Sequence, residues 1–144
     1  MLVNIKKLHP DAVIPRYAHG ANEDAGMDLV ATEDAYLPPF EPRAIPTGIA
    51  ISLPPGYEAQ VRSRSGLALK HNVVVANAPG TIDPGFRGEI KVILVNNTVE
   101  NIYKVTKGER IAQLVIAKYE IADWVETELE ESARGVGGFG STGK

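Results

Sequence analysis

Asp83 is the first residue in this chain whose setting suggests chemistry. It lies between two proline–glycine pairs, Pro79-Gly80 and Pro84-Gly85. Proline fixes φ, and glycine lets backbone approach a ligand closely. A carboxylate on so constrained a loop is a candidate for positioned chemistry; capping a turn is the other role open to it. Arg62-Ser63-Arg64-Ser65-Gly66 comes next. It follows a strand-like segment and opens a short helical one, so free N–H groups and bidentate guanidinium groups could meet an anion; a solvated basic turn is the alternative. Asp24-Ala25-Gly26-Met27-Asp28-Leu29 sets two carboxylates around a glycine. Magnesium in a triphosphate complex takes most of its ligands from phosphate and water, so Asp28 could serve through a water, and turn-making is an equal reading. Gln113, in Gly108-Glu109-Arg110-Ile111-Ala112-Gln113-Leu114, alternates with inward-facing residues. His9, His19 and His71 have no metal-ligand spacing. Trp124, Tyr57, Tyr103 and Tyr119 read as core or interface.

The elements that must hold these groups are short strands. Turn signals recur about every ten residues, from Pro10 and Pro15 through Pro38-Pro39 to Pro54-Pro55-Gly56. Between them lie alternating runs: 49–53, 57–62, 90–95 and 111–117. Many short strands so spaced mean a sandwich, jelly roll or barrel. Val73 to Val95 reads as strand, turn and strand, with Asp83 in the turn. Gly66–Lys70, and more weakly Thr127–Ala133, could be helical. No repeat, linker or second domain is visible.

The chain has 144 residues, enough for one domain with its own core. Fifteen basic and 18 acidic side chains leave a formal charge of −3, which argues against a general nucleic-acid binder. Cysteine is absent, which excludes disulfides, thiol catalysis and zinc–thiolate sites and fits a reducing cytoplasm. The first residues form no signal-peptide core, and no run reaches membrane-spanning length. After Trp124 the chain turns acidic and then glycine-rich, ending Arg134-Gly135-Val136-Gly137-Gly138-Phe139-Gly140-Ser141-Thr142-Gly143-Lys144. Such a segment forms no stable element alone. Its cation, aromatic ring and hydroxyls nevertheless suit an arm that folds over a nucleotide.

Five segments in order resemble the trimeric deoxyuridine triphosphatase (dUTPase) family: 24–29, Arg64 to Ala68, Asn77 to Gly88, Gly108 to Gln113, and Arg134 to Gly143. The resemblance implies an all-β, distorted jelly roll of the dUTPase-like β-clip type, with one short helix and a flexible Gly-rich C-terminal arm. Residues 1–125 would be the jelly-roll domain, and 126–144 the arm crossing to a neighbouring subunit of a homotrimer with shared active sites. It implies Mg2+-assisted hydrolysis of dUTP to dUMP and pyrophosphate, which keeps uracil out of DNA and supplies dUMP for thymidylate synthesis. No direct nucleic-acid or membrane partner is expected, and the location is cytoplasmic.

The roles follow the matched motifs. Asp83 resembles the carboxylate that activates water for in-line attack on the α-phosphorus. Arg64, Ser65 and Gly66 resemble the phosphate turn, and Gln113 a further phosphate contact. Asn77, Gly80, Thr81, Ile82 and Lys91 would read uracil. Arg134, Gly140, Ser141 and Thr142 would close over the phosphates, with Phe139 stacked on the base. Asp28 is similar to the acidic residue near the metal's water shell. Phe86 stands where the family usually has tyrosine against the deoxyribose; it keeps the apolar face and loses the hydroxyl. Asp83-Pro84-Gly85-Phe86 is also similar to deoxycytidine triphosphate deaminases, alone or as bifunctional enzymes, which share the fold but lack the arm. A non-catalytic nucleotide-sensing module is the alternative of another class.

Overall fold

The computed structural model describes residues 1–139. Eleven strands and one helix are present among the described residues. The strands are β1 (Asn4–Lys7), β2 (Met27–Val30), β3 (Ala35–Leu37), β4 (Arg43–Pro46), β5 (Ile49–Ser52), β6 (Tyr57–Arg62), β7 (Val73–Val75), β8 (Gly80–Ile82), β9 (Lys91–Asn96), β10 (Tyr103–Val105) and β11 (Arg110–Lys118), with helix α1 (Ser65–His71) between β6 and β7. They pair antiparallel into four small sheets, ordered β1-β5, β10-β3, β2-β11-β6-β8 and β4-β9-β7. This is a jelly-roll-like β fold, one of the three architectures that the turn spacing allows and the one that the family resemblance implies.

Alternation in sequence becomes alternation in burial. In β9, Val92, Leu94 and Asn96 are buried and Lys91 is exposed. In β6, Ala59 and Val61 face inward while Arg62 is exposed. Leu29, Leu37, Ile45, Ile49, Ile90, Leu94 and Ile111 join one core. Each such side chain, when fully buried, contributes about 1.5–3 kcal/mol of transfer free energy. Asn96 is buried and satisfied: its amide donates to the carbonyls of Leu37 at 3.0 Å and Asn101 at 2.7 Å. Its own oxygen accepts the Thr98 N–H at 3.0 Å. It ties β9 to β3 and to the loop before β10.

The helix expected over Gly66–Lys70 is present and one residue longer at each end. Arg64 precedes it in an extended conformation, with φ −87° and ψ 127°. Asn72 ends it in the left-handed region at φ 54°, where its N–H returns to the Ala68 carbonyl. Asparagine tolerates that conformation better than most residues. Leu67 is its one buried residue.

Two expectations are corrected, and a third is narrowed, since Trp124, read as core or interface, keeps only the second reading. Thr127–Ala133 is not helical. Its acids repel one another, and Leu129 finds nothing to bury against, at 89% exposure. Trp124 is 94% exposed and so belongs to no core of this chain. The stretch from Val73 to Val95 is more than one hairpin. Its outer ends do pair, Val73 with Asn96 and Val75 with Leu94. Between them, β8 leaves that sheet and joins β6, with Gly80 opposite Val61 and Ile82 opposite Ala59.

Candidate functional site

The departure of β8 creates a cleft. Because β8 is an edge strand, one side of its backbone pairs with β6 and the other is free. Free N–H and C=O groups on a sheet edge are ready to pair with something planar and polar. The cleft beside it holds about 260 Å³. Asn77, Gly80, Thr81, Ile82, Phe86 and Lys91 line it, with Ala44, Val61 and Ile93 giving an apolar side. Six of the seven residues expected at the nucleoside end are thus gathered in one place; Phe139, expected to stack on the base, is not among them. Gly80 is there for room: a Cβ would sit 3.3 Å from both the Asn77 amide nitrogen and Val61 Cβ. Gly88 is tighter still, since a Cβ there would lie 2.6 Å from Cζ of the Phe86 ring.

Asp83 is the residue immediately after β8 and is exposed. The Phe86 N–H donates to the Asp83 carbonyl at 3.1 Å and closes the turn. Arg87 tightens it by donating to the carbonyls of Pro84 at 2.6 Å and Phe86 at 2.9 Å. The carboxylate therefore stands on a braced bend at one end of the cleft.

A second cluster forms where β2, β11 and the residues before α1 meet. Gln113 lies opposite Asp28 on one side and opposite Arg62 on the other, so the three share a face. Gln113 is exposed while Ala112 and Leu114 are buried. Gly26 makes room for it, because a Cβ there would be 3.3 Å from the Gln113 amide oxygen. Asp28 receives Arg64 Nε at 3.1 Å and Arg110 Nη1 at 3.3 Å. Arg64 Nη1 also donates to the Arg110 carbonyl at 2.8 Å. Two guanidinium groups are thereby held side by side, both partly exposed, in an arrangement that suits phosphate oxygens. Ser63 Oγ accepts the Val75 N–H at 2.9 Å and fastens the segment before the helix to β7. Ser65 and Gly66 are exposed at the helix start beside Arg64.

Arg110 was not foreseen as a member of this cluster. Nor were Glu109 and Tyr103, which stand behind it. The Tyr103 hydroxyl donates to the Glu109 carboxylate, and the same carboxylate accepts the Thr106 N–H at 2.9 Å. Burial, and then the Glu109 carboxylate, push the Tyr103 phenol up from its ordinary value, so it remains a donor.

Not every expected residue converges. Asp24 does not pair with Asp28 as a metal site. It is taken by His19, whose backbone N–H lies at 2.7 Å and ring nitrogen at 3.1 Å. Among the described residues no group of three or more acids and histidines could hold a metal ion. Arg134 and Phe139 are exposed, and Arg134 Nε donates to Gly137 O at 2.9 Å. Gly140, Ser141 and Thr142 lie outside the described residues.

Comparison with known proteins gives concordant findings. The family model for dUTPase matches residues 13–143. A deoxyuridine 5'-triphosphate nucleotidohydrolase of Solibacter usitatus is 54% identical over 144 residues, covering 100% of this chain and 97% of that one. Its counterpart from Thermobifida fusca is 56% identical over 142 residues, covering 98% of this chain and 78% of that one. Among solved structures, a mutant dUTPase of Staphylococcus bacteriophage 80alpha with dUpNHpp superposes with a TM-score of 0.89 at 30% identity, over 99% of both chains. A mutant dUTPase from phage phi11 of S. aureus, described as revealing the coordination of a structural Mg(II) ion, gives 0.81 at 27% identity over 90% of this chain and 98% of that one.

Proposed function

The chain belongs to the dUTPase family, and from that membership we propose how it hydrolyses dUTP to dUMP and pyrophosphate. The observation that carries the proposal is the adjacency of Asp83 to the free edge of β8. In this reading a base paired along Gly80, Thr81 and Ile82 would send its sugar toward Phe86, which lines the same cleft, and its first phosphate toward the turn that follows β8.

Backbone polar groups on a strand edge can pair with uracil as an adenine edge would. Packed backbone leaves no room for a thymine methyl, and a cytosine amino group would meet a donor instead of an acceptor. Rejection by clashes and unpaired polar groups is strong. Asn77, Lys91 and Glu89, which lies 3.8 Å from the Lys91 amine, complete the polar side of the cleft. Phe86 packs against deoxyribose and fills the space a ribose 2′-hydroxyl would need.

Asp83 then accepts a proton from a water aimed at the α-phosphorus. The new P–O bond forms in line with the bond that breaks, and pyrophosphate leaves as one unit. Arg64, Ser65, Gly66 and Gln113 hold the phosphates, and the paired guanidinium groups offset the negative charge that gathers on the leaving oxygens. Deoxynucleotide phosphoryl transfer asks little covalent help of a protein, so positioning and charge do most of the work.

Mg2+ fits as a companion of the triphosphate and not as an ion caged by the protein. Asp28 is the carboxylate that pairs with both arginines of the cluster, and a carboxylate reached through water is what such an ion asks of its host. Bound with the phosphates, the ion would neutralise their charge. The homotrimer belongs to the same proposal. Residues 126–144 form an arm that lends Arg134, Phe139, Gly140, Ser141 and Thr142 to a neighbouring site. Support comes from the exposure of Val125, Leu129 and Phe139, which touch little of their own chain. The place of work is the cytoplasm, where the nucleotide pool is; no helix of the described residues is long and apolar enough to cross a membrane.

Hydrolysis in ¹⁸O-labelled water tests the attack. The label is expected in the phosphate of dUMP. Label in pyrophosphate would mean that water attacks the β-phosphorus, and the assignment of Asp83 would fall.

A further inference from the structure

We infer that Tyr103, acting through Glu109, is a positioning residue for the phosphate end of the site. The inference rests on the dUTP-hydrolysing reading above and adds a residue to it.

Tyr103 touches both pieces of chain that carry the paired arginines. Its hydroxyl donates to the Glu109 carboxylate. That carboxylate also accepts the Thr106 N–H at 2.9 Å, and the Glu109 N–H donates to the Thr106 carbonyl at 2.9 Å. The turn before β11 is therefore closed on itself and fastened to β10. The next residue is Arg110. Its carbonyl accepts Arg64 Nη1 at 2.8 Å, and its own guanidinium reaches Asp28 at 3.3 Å. On the other side, the Tyr103 ring packs against the ring of His71, with centroids 5.1 Å apart and planes at 53°. His71 is the last residue of α1, the helix that begins directly after Arg64. One half-buried tyrosine thus joins the far end of α1 to the start of β11, the two elements whose near ends hold Arg64 and Arg110.

A guanidinium pair binds phosphate well only when its spacing is set in advance. Asp28 sets the pair from the front. Tyr103 and Glu109 set it from behind by locking the backbone from which Arg110 projects and to which Arg64 is bonded. Tyr103→Phe removes the hydroxyl and keeps the ring on His71, so it isolates this contribution.

The test is direct binding to the full chain, by calorimetry with Mg2+ present, of two partial ligands: inorganic pyrophosphate for the phosphate end and deoxyuridine for the cleft beside β8. Tyr103→Phe is expected to weaken pyrophosphate about tenfold, the usual worth of a hydrogen bond to a charged partner, and to leave deoxyuridine within about twofold. Glu109→Ala should reproduce the loss, and the double variant should be no worse than Glu109→Ala alone, because the two act as one unit. Unchanged pyrophosphate affinity would overturn the inference. So would an equal loss for both ligands, which marks a strut of the fold in general, or additive losses in the double variant. Release of pyrophosphate from dUTP by the unsubstituted chain is measured alongside; its failure would sink the functional reading, while the two binding arms still report on Tyr103.

Discussion

Gly88 offers the cleanest test of how the sugar is held. Its φ lies outside the left-handed region, so alanine suits the backbone there. The obstacle is the Phe86 ring. An added Cβ would meet Cζ at 2.6 Å and Cε2 at 2.9 Å. Ordinary carbon contacts lie at about 3.5–4.0 Å, so the ring must move by about 1 Å or more. Phe86 is 43% exposed and free to move, and one of its sides is the cleft. Folding stability should therefore change little; the lost glycine freedom in the unfolded chain even favours alanine by about 0.4–1 kcal/mol. Catalysis should not escape. A displacement of about 1 Å at a positioning group costs up to about 10²-fold, so Gly88→Ala should lower kcat/KM for dUTP by about ten- to a hundredfold. The assay is steady-state pyrophosphate release beside a thermal melt. The same substitution placed in a Phe86→Ala background should add little, because the ring it collides with is gone. If Gly88→Ala costs as much there as in the native chain, or costs nothing in either, the reasoning about the ring is refuted.

Asp83→Asn should retain nucleotide affinity while turnover falls by about 10²–10⁴, the range for a positioned base; a parallel loss of affinity would remove Asp83 from that role. Deleting residues 134–144 should leave the melting temperature nearly unchanged, since the described part of that segment is almost wholly exposed, while pyrophosphate release is crippled. A chain that unfolds on truncation would show the segment to be structural. Three carboxylates, Asp11 and Asp34 exposed and Asp24 half-buried, sit below the ordinary value of 3.8: Asp11 through the hydrogen bond from Lys107, Asp24 through the His19 backbone N–H, and Asp34 through the Lys107 backbone N–H. Because these folded-state values are depressed, their contribution is present above 3.8 and lost as pH falls through the folded values. Melting temperature should drop in that acid window, and Asp11→Asn with Asp34→Asn should flatten the drop. A profile indifferent to the substitutions would count against these pairings.

The turn that carries Asp83 was legible from its residues, whereas the residues that line the cleft beside it were named through the family resemblance. Asn77, Thr81, Ile82 and Phe86 fall within ten positions, bounded by proline and glycine that announce a turn. Alternation located Gln113 on the outer face of its strand. Arg110 was hidden for the same reason. Three positions before Gln113, it should point to the opposite face of a regular strand. The register shift between Arg110 and Ala112 brings it back to the side of Asp28. Period-two reasoning has no means of seeing a bulge. The partner of β8 was equally hidden, since pairing Gly80 with Val61 depends on what the rest of the chain leaves open. Tyr103 has an ordinary neighbourhood in sequence, and only the meeting of β10 with α1 and the turn before β11 gives it a task.

The order of β2-β11-β6-β8 has a bearing on biosynthesis. The strand that separates β2 from β6 is the last of the eleven to be made. While a ribosome is still short of Lys118, Met27–Val30 has no neighbour to pair with, and Asp28 has no Arg110 to meet. Distant pairings of this kind form slowly, in milliseconds to seconds. A growing polypeptide therefore cannot complete this sheet until β11 has emerged, and stalled nascent chains released before and after that strand emerges would show the step directly.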